Sequence, residues 1–179
     1  VATIIEMVAM MRFDCMIGSS SIMRSALVQA VDHCRQRAAF GKLLIDQPIM
    51  QNVLADLALE TEAAVALTMR IGRALDNRAD ESEAQLMRIG AAIGKYWICK
   101  RTPGVAAEAM ECIGGSGVME DGPMPRIFRE SPVNAIWEGS GNVQCLDVLR
   151  ALSRTPETLA VYFAEVEAAN GANAAYDRH

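Results

Sequence analysis

The stretch Trp137-Glu138-Gly139-Ser140-Gly141-Asn142 sets one carboxylate beside a large apolar ring, just ahead of a glycine-rich turn and a helix start. A carboxylate desolvated by an aromatic neighbour holds its proton more tightly and can act as a base near neutral pH. The turn adds free backbone N–H groups and a helix N-terminus, both of which attract an anionic or electron-rich ligand. Together these features suit proton abstraction. Taken alone, the same six residues also read as a helix cap with a solvated Glu.

Other chemistries find less support. Cys15, Cys34, Cys99, Cys112 and Cys145 are scattered, odd in number and free of any CxxC pair, so no disulfide framework is expected and a reducing, cytoplasmic setting fits. Cys145 has no histidine near it in sequence and is expected to be a buried, inert thiol. His33 and His179 lie too far apart in sequence to announce a metal site. A net charge of −5 with acids and bases interleaved gives no nucleic-acid footprint. No apolar run approaches the roughly 18–20 residues that span a bilayer. Met7, Met11, Met16 and Met23 read as packing residues.

The composition, 51% apolar but only 5% aromatic, favours helices over sheets. A first helix is expected from about Arg12 to Ala38, with Ile17, Ile22, Leu27, Val28 and Val31 on its apolar side, and Phe40-Gly41-Lys42 breaks it. A second starts near Asp46-Gln47-Pro48, with Pro in the first turn, and ends near Asn77-Arg78. A third opens with the capping pattern Asp80-Glu81-Ser82-Glu83. It is expected to kink or break at Pro103-Gly104, resume through Val105 to Cys112, and stop at Gly114-Gly115. After a Pro-rich irregular segment, Ser140 is placed as the N-cap of a fourth long element, Asn142–Leu152, with Val143, Leu146, Val148 and Leu149 as its apolar positions. A last helix is placed over Glu157–Ala168, with a frayed, disordered tail at 170–179. The expected fold is all-α: an antiparallel four-helix bundle forming one domain over residues 1–179, with its core at about 10–152. A start at Val1, with no basic leader, reads as a fragment.

The order of the motifs carries more than any one of them. Arg37-Ala38-Ala39-Phe40-Gly41-Lys42, then Gly114-Gly115-Ser116-Gly117, then Arg129, then the Trp137–Asn142 segment resembles the C-terminal helical domain of acyl-CoA dehydrogenases over about residues 10–152. The wording from Asn134 to Arg150 is most similar to the alkylation-response branch of that family. The resemblance implies an FAD flavoprotein whose upstream helical and β-domains are absent here. It implies dehydrogenation of the Cα–Cβ bond of an acyl-CoA, in which a base takes the α-proton and flavin N5 accepts hydride. Electrons then pass to an electron-transferring flavoprotein.

Glu138 matches the family's base. Arg37 matches an arginine on the FAD pyrophosphate of a neighbouring subunit, or is simply a helix-end cation. Phe40 matches a residue near the cofactor, with a plain hydrophobic anchor as the alternative; Gln47 contacts the cofactor across the interface or caps a helix. Glu111, Cys112, Ile113, Gly114 and Gly115 match the segment that approaches the neighbour's FAD through backbone, and the glycine pair also reads as a helix C-cap. Ser140 and Asn142 match flavin-bonding positions, or cap the helix. Gly139 matches a residue near the thioester and Arg12 a substrate-side arginine, although Ala9-Met10-Met11 before it departs from the family pattern. Arg150 reads as a surface cation.

By the same resemblance the bundle forms the core of a homodimer or homotetramer. The isolated chain is then expected to self-associate through exposed apolar faces and not to hold FAD tightly. The alternative is a DNA-protecting flavoprotein of the alkylation-response branch with little dehydrogenase activity.

Overall fold

The longest run of buried positions lies on the third helix, and that helix sets the architecture. The computed structural model describes residues 2–178; Val1 and His179 lie outside the described residues. Its elements are α1 (Ala2–Gln36), a hairpin of β1 (Ala38–Ala39) and β2 (Lys42–Leu43), α2 (Pro48–Asp76), α3 (Glu81–Ile113), α4 (Met124–Glu130), α5 (Gly141–Arg154) and α6 (Glu157–Glu167). The family of elements is all-α, with two-residue strands as the sheet content among the described residues.

Local chemistry sets the ends of α3. The Asp80 carboxylate accepts from the amides of Ser82 (2.9 Å) and Glu83 (3.2 Å), satisfying two of the helix's unpaired donors. Glu81 and Glu83 add favourable charge in the first turn. Gly114 closes the other end, its φ of +72° lying where glycine carries no Cβ penalty. Contrary to expectation, Pro103 does not break α3. Proline removes one ladder hydrogen bond, but Thr102 bonds back to the Ile98 carbonyl (2.8 Å), and Ile98, Cys99, Val105, Ala106 and Ala109 on either side are buried. Packing on both flanks outweighs the local break.

Helix α3 is buried around much of its circumference, so it runs through the interior. Helix α1 lies parallel to it: Met16 covers Gly94, and Ser19 bonds the Cys99 sulfur at 3.2 Å. Helix α2 is antiparallel to both, with Phe13 against Gly72, Ile71 against Gly90, and Arg101 paired with Glu60. Helix α5 is antiparallel to α3, with Gly141 against Tyr96 and Lys100, and Asp147 bonded by Arg88. Successive long helices thus alternate direction, the expected antiparallel four-helix bundle. Arg70 ties α6 to the bundle, holding Glu83 at 2.8 Å and Glu165 at 2.5 Å. Beyond α6, Tyr176 Oη donates to the Val166 carbonyl and Asp177 accepts from the Gly171 amide.

Two expectations about α5 are corrected. Its inward face carries Gly141, Gln144, Asp147 and Ala151, while Val143, Leu146 and Leu149 point outward. The apolar stripe read from the sequence is therefore the solvent face of this chain. Cys145 follows that face and is exposed, whereas the other four cysteines are buried. On α1, Ile17 and Val28 are likewise exposed, and Met16 and Met23 fill the core. No helix among the described residues is long and apolar enough to cross a membrane.

Asp147 is buried where α1, α3 and α5 meet and accepts hydrogen bonds from Arg12 and Arg88. Burial raises its pKa, but the two guanidinium bonds outweigh it and hold the carboxyl below its ordinary value. A depressed pKa contributes stability that is present above the unfolded value of about 4 and lost as pH falls through the folded value. Asp147→Asn is therefore expected to cost about 3 kcal/mol in urea unfolding at pH 7, since it leaves Arg12 uncompensated. The gap from the wild type should begin to narrow near pH 4 and close only below the depressed folded value. A gap of equal size at pH 3 and pH 7 would contradict the ion-pair account.

Candidate active site

Between the short turn Val133–Ala135 and α5 the chain makes a left-handed bend, with φ of +53° at Glu138 and +98° at Gly139. A non-glycine residue in this region costs on the order of 1–3 kcal/mol and persists only where its surroundings over-determine it. The surroundings here are two buried side chains. Lys95 on α3, 1% exposed, donates from Nζ to the Trp137 and Gly139 carbonyls, both at 2.8 Å. Gln144 on α5, also 1% exposed, donates from Nε2 to the Glu138 carbonyl (3.2 Å) and the Gly139 carbonyl (2.9 Å).

Three consecutive carbonyls are thus turned inward. In a planar trans peptide the following N–H points the opposite way. The amides of Glu138, Gly139 and Ser140 consequently face away from Lys95 and Gln144, and no acceptor among the described residues takes them. The Glu138 side chain is half-buried, and its charge acts on both Lys95 and Cys15. Burial pushes the Lys95 pKa down, while Cys15, Cys99 and Glu138 pull it up.

The bend is held from α1 as well. Trp137 Nε1 donates to Asn134 Oδ1 (2.9 Å), Asn134 Nδ2 to Ser19 Oγ (3.2 Å), and Ser19 Oγ to the Cys99 sulfur. The Trp137 ring is nevertheless 53% exposed, so the apolar enclosure expected for Glu138 is not completed within this chain. Ser140 occupies the N-cap position of α5 but makes no capping side-chain bond, and Asn142 is exposed. Arg12 is committed to Asp147, and its Nε is buried without a partner, as is Gln144 Oε1.

The remaining candidates gather at the far end of the bundle. Cys34 and Cys112, close enough to influence each other, bring the C-termini of α1 and α3 together. Arg37 is exposed and forms no ion pair among the described residues. Phe40 and Gly41 form the tip of the hairpin, both with positive φ, and Phe40 is 97% exposed. Gln47 precedes α2, but its side chain pins the hairpin through the Ala39 carbonyl (2.9 Å) and makes no capping bond. Glu111, Gly114 and Gly115 are exposed and Ile113 is half-buried; Cys112 is buried, its thiol pushed up to about 11 by desolvation. This segment can therefore meet a ligand through its backbone but not through the Cys112 thiol. Arg37, the bare Phe40 ring and the open glycine backbone are a donor set suited to a diphosphate carrying a flat ring system.

Lys95 and Gly114 are 19 residues apart on one helix, about 28 Å of rise. A single copy therefore holds two separate clusters: Glu138, Gly139, Ser140 and Asn142 near the middle, and Arg37, Phe40, Gln47 and 111–115 at one end. Lys95, Gln144 and Asn134 were not singled out from sequence. Lys95 did leave a signal, a cation in register with the buried Ala91, Ile98 and Cys99 of α3.

An all-helical bundle of this arrangement corresponds to a known class. The chain belongs to the acyl-CoA dehydrogenase family: residues 1–153 match the family described as acyl-CoA dehydrogenase, C-terminal domain. It is similar to AidB of Escherichia coli (strain K12), a protein assigned by name to the acyl-CoA dehydrogenases, with 50% identity over 151 residues, 84% of this chain and 28% of that protein. The crystal structure of Caenorhabditis elegans ACDH-11 in complex with C11-CoA superposes with a TM-score of 0.89 at 29% identity, covering 96% of this chain and 30% of that one. Butyryl-CoA dehydrogenase of Megasphaera elsdenii gives a TM-score of 0.71 at 26% identity, over 84% of this chain and 38% of that one. The chain thus spans less than half the length of the relatives it matches.

A Cβ at position 139 would lie 2.8 Å from Val143 Cγ1 and 2.9 Å from Gln144 Nε2, in a backbone conformation that L-residues rarely adopt. Gly139→Ala is expected to lower stability by about 1–3 kcal/mol in urea unfolding, through strain and displacement of the Gln144 amide. An unchanged midpoint would show that the bend is not held as described.

Proposed function

We propose that this chain is the helical C-terminal part of an FAD-dependent acyl-CoA dehydrogenase and that Glu138 is its base. The observation that carries the reading is the bend itself: its carbonyls are tied inward, which leaves three unpaired amides beside the half-buried Glu138. The α-proton of a thioester is weakly acidic, so its removal needs a well-aimed base and donors for the developing enolate oxygen. Glu138 takes the α-proton at its carboxylate, and the amides of Glu138, Gly139 and Ser140 offer N–H groups to the thioester oxygen. When bound, FAD supplies the hydride acceptor for the β-hydrogen. Ser140 and Asn142, exposed beside the bend, offer polar atoms to the flavin ring.

Arg37, Phe40, Gln47 and the Glu111–Gly115 backbone belong to the FAD of a second copy, a role supported by their distance from Glu138 along the bundle. The outward apolar positions Val143, Leu146 and Leu149 support a homo-oligomer. Five free cysteines suit a reducing cytoplasmic setting. The substrate class is an acyl-CoA thioester, in keeping with the C11-CoA bound to the C. elegans neighbour. By family, the electron acceptor is an electron-transferring flavoprotein.

The test is anaerobic mixing of the full-length, FAD-loaded protein with an acyl-CoA panel while flavin absorbance is followed. Glu138→Gln should retain FAD and slow bleaching about a thousandfold; bleaching at the wild-type rate would remove Glu138 from the role. Salt-dependent binding of duplex DNA, together with no bleaching by any thioester, would favour the DNA-protecting alternative.

A further inference from the structure

We infer that Lys95 is the positioning residue for Glu138: its buried ammonium grips the carbonyls on both sides of the base and so sets the direction in which the carboxylate and the amides of the bend face. The inference rests on the reading of Glu138 as the base.

Burying an ammonium is costly unless it is hydrogen-bonded. Lys95 uses two of its three N–H donors on the Trp137 and Gly139 carbonyls, at equal and short distances. It forms no carboxylate pair among the described residues. Its directional capacity is therefore spent on one bend. The groups whose charge reaches it are Cys15, Cys99, Arg12 and Glu138. Both thiols are buried and held neutral by desolvation, so Glu138 is the negative charge that faces this ammonium.

The geometry also explains why a lysine serves here. A left-handed Glu followed by a left-handed Gly turns two carbonyls, two residues apart, toward the same point. A single tetrahedral donor can satisfy both, whereas an apolar residue would leave the Trp137 carbonyl unpaired and the Gly139 carbonyl held by Gln144 alone. With the Trp137 carbonyl released, the bend could relax from its strained conformation and swing the Glu138 carboxylate away from its aim. Helix α3 supplies the rigid base for the grip: Lys95 lies in its interior, flanked by Gly94, which Met16 covers, and Ile98, which is fully buried.

The test compares Lys95→Met and Lys95→Arg with the wild type in the full-length, FAD-loaded protein. Hydrogen–deuterium exchange at residues 137–140 is measured beside anaerobic flavin bleaching by undecanoyl-CoA. Lys95→Met is expected to keep FAD and helix content, to raise exchange at 137–140 about tenfold or more, and to slow bleaching at saturating thioester about tenfold or more. The half-saturation concentration should move by less than about twofold. Lys95→Arg, which keeps a charged multiple donor, should recover part of both losses. If Lys95→Met does not fold, Lys95→Gln, a neutral donor, is read by the same criteria. Wild-type exchange and rate in the neutral variants would overturn the inference, as would exchange raised equally along α1 and α3. If the wild type itself is not bleached by the thioester, the dehydrogenase reading falls, while the exchange measurements still decide whether Lys95 holds the bend.

Discussion

Three consecutive carbonyls turned toward the axis of a helical bundle must find donors, and the site exists because two buried side chains provide them. Lys95 reaches from α3 and Gln144 from α5, antiparallel neighbours on either side of the bend. Each unpaired buried carbonyl would cost on the order of 1–3 kcal/mol, comparable with the strain of the left-handed Glu138. The donors therefore decide whether the bend holds its shape. The same need governs α5 as a whole. A helix that must deliver Gln144 to the bend and Asp147 to Arg12 and Arg88 has to turn its polar residues inward. Its leucines and valine are left outside, which gives the bundle an apolar face that one copy cannot cover.

The division of the candidate residues into two clusters follows from the length of α3. A helix with more than 30 Å of rise between its caps cannot bring its middle and its end to one small ligand. In the proposed function, an extended dinucleotide shared between copies removes the conflict, with each copy contributing its middle to one cofactor and its end to another. On the proposed reading, the free guanidinium of Arg37 and the bare ring of Phe40 are contacts made to a partner, and their exposure in a single chain is the expected counterpart.

Helix ends were legible where a short-range device specifies them. Asp80 caps α3, Pro48 opens α2 and Gly114 closes α3, each as its residue type dictates. Pro103 misled because the same local rule takes no account of the packing on both sides of it. The periodicity of Val143, Leu146 and Leu149 misled for a related reason: an apolar stripe specifies a face to be covered, not which molecule covers it. Cys145 was misplaced along with that face. Glu138 and Gly139 stood out because their type and order carry a chemical meaning. Lys95 did not, since its role lies in its distance to carbonyls more than 40 residues away, and residue type alone does not encode that.

Rigidity on one side of the bend and openness on the other are two consequences of a single arrangement. The relay from Trp137 through Asn134 and Ser19 to Cys99 fastens the bend to α1 and α3, while Lys95 and Gln144 fasten its backbone. The three inward carbonyls of the bend are all paired in this way. The unpaired amides are consequently left on the outer side, where the half-exposed Trp137 ring also lies open. A base needs a fixed direction and a water-poor setting. On the proposed reading, the bundle supplies the first by itself, whereas the second requires substrate and further polypeptide to close over Trp137, so the chemistry begins only when the open side is filled.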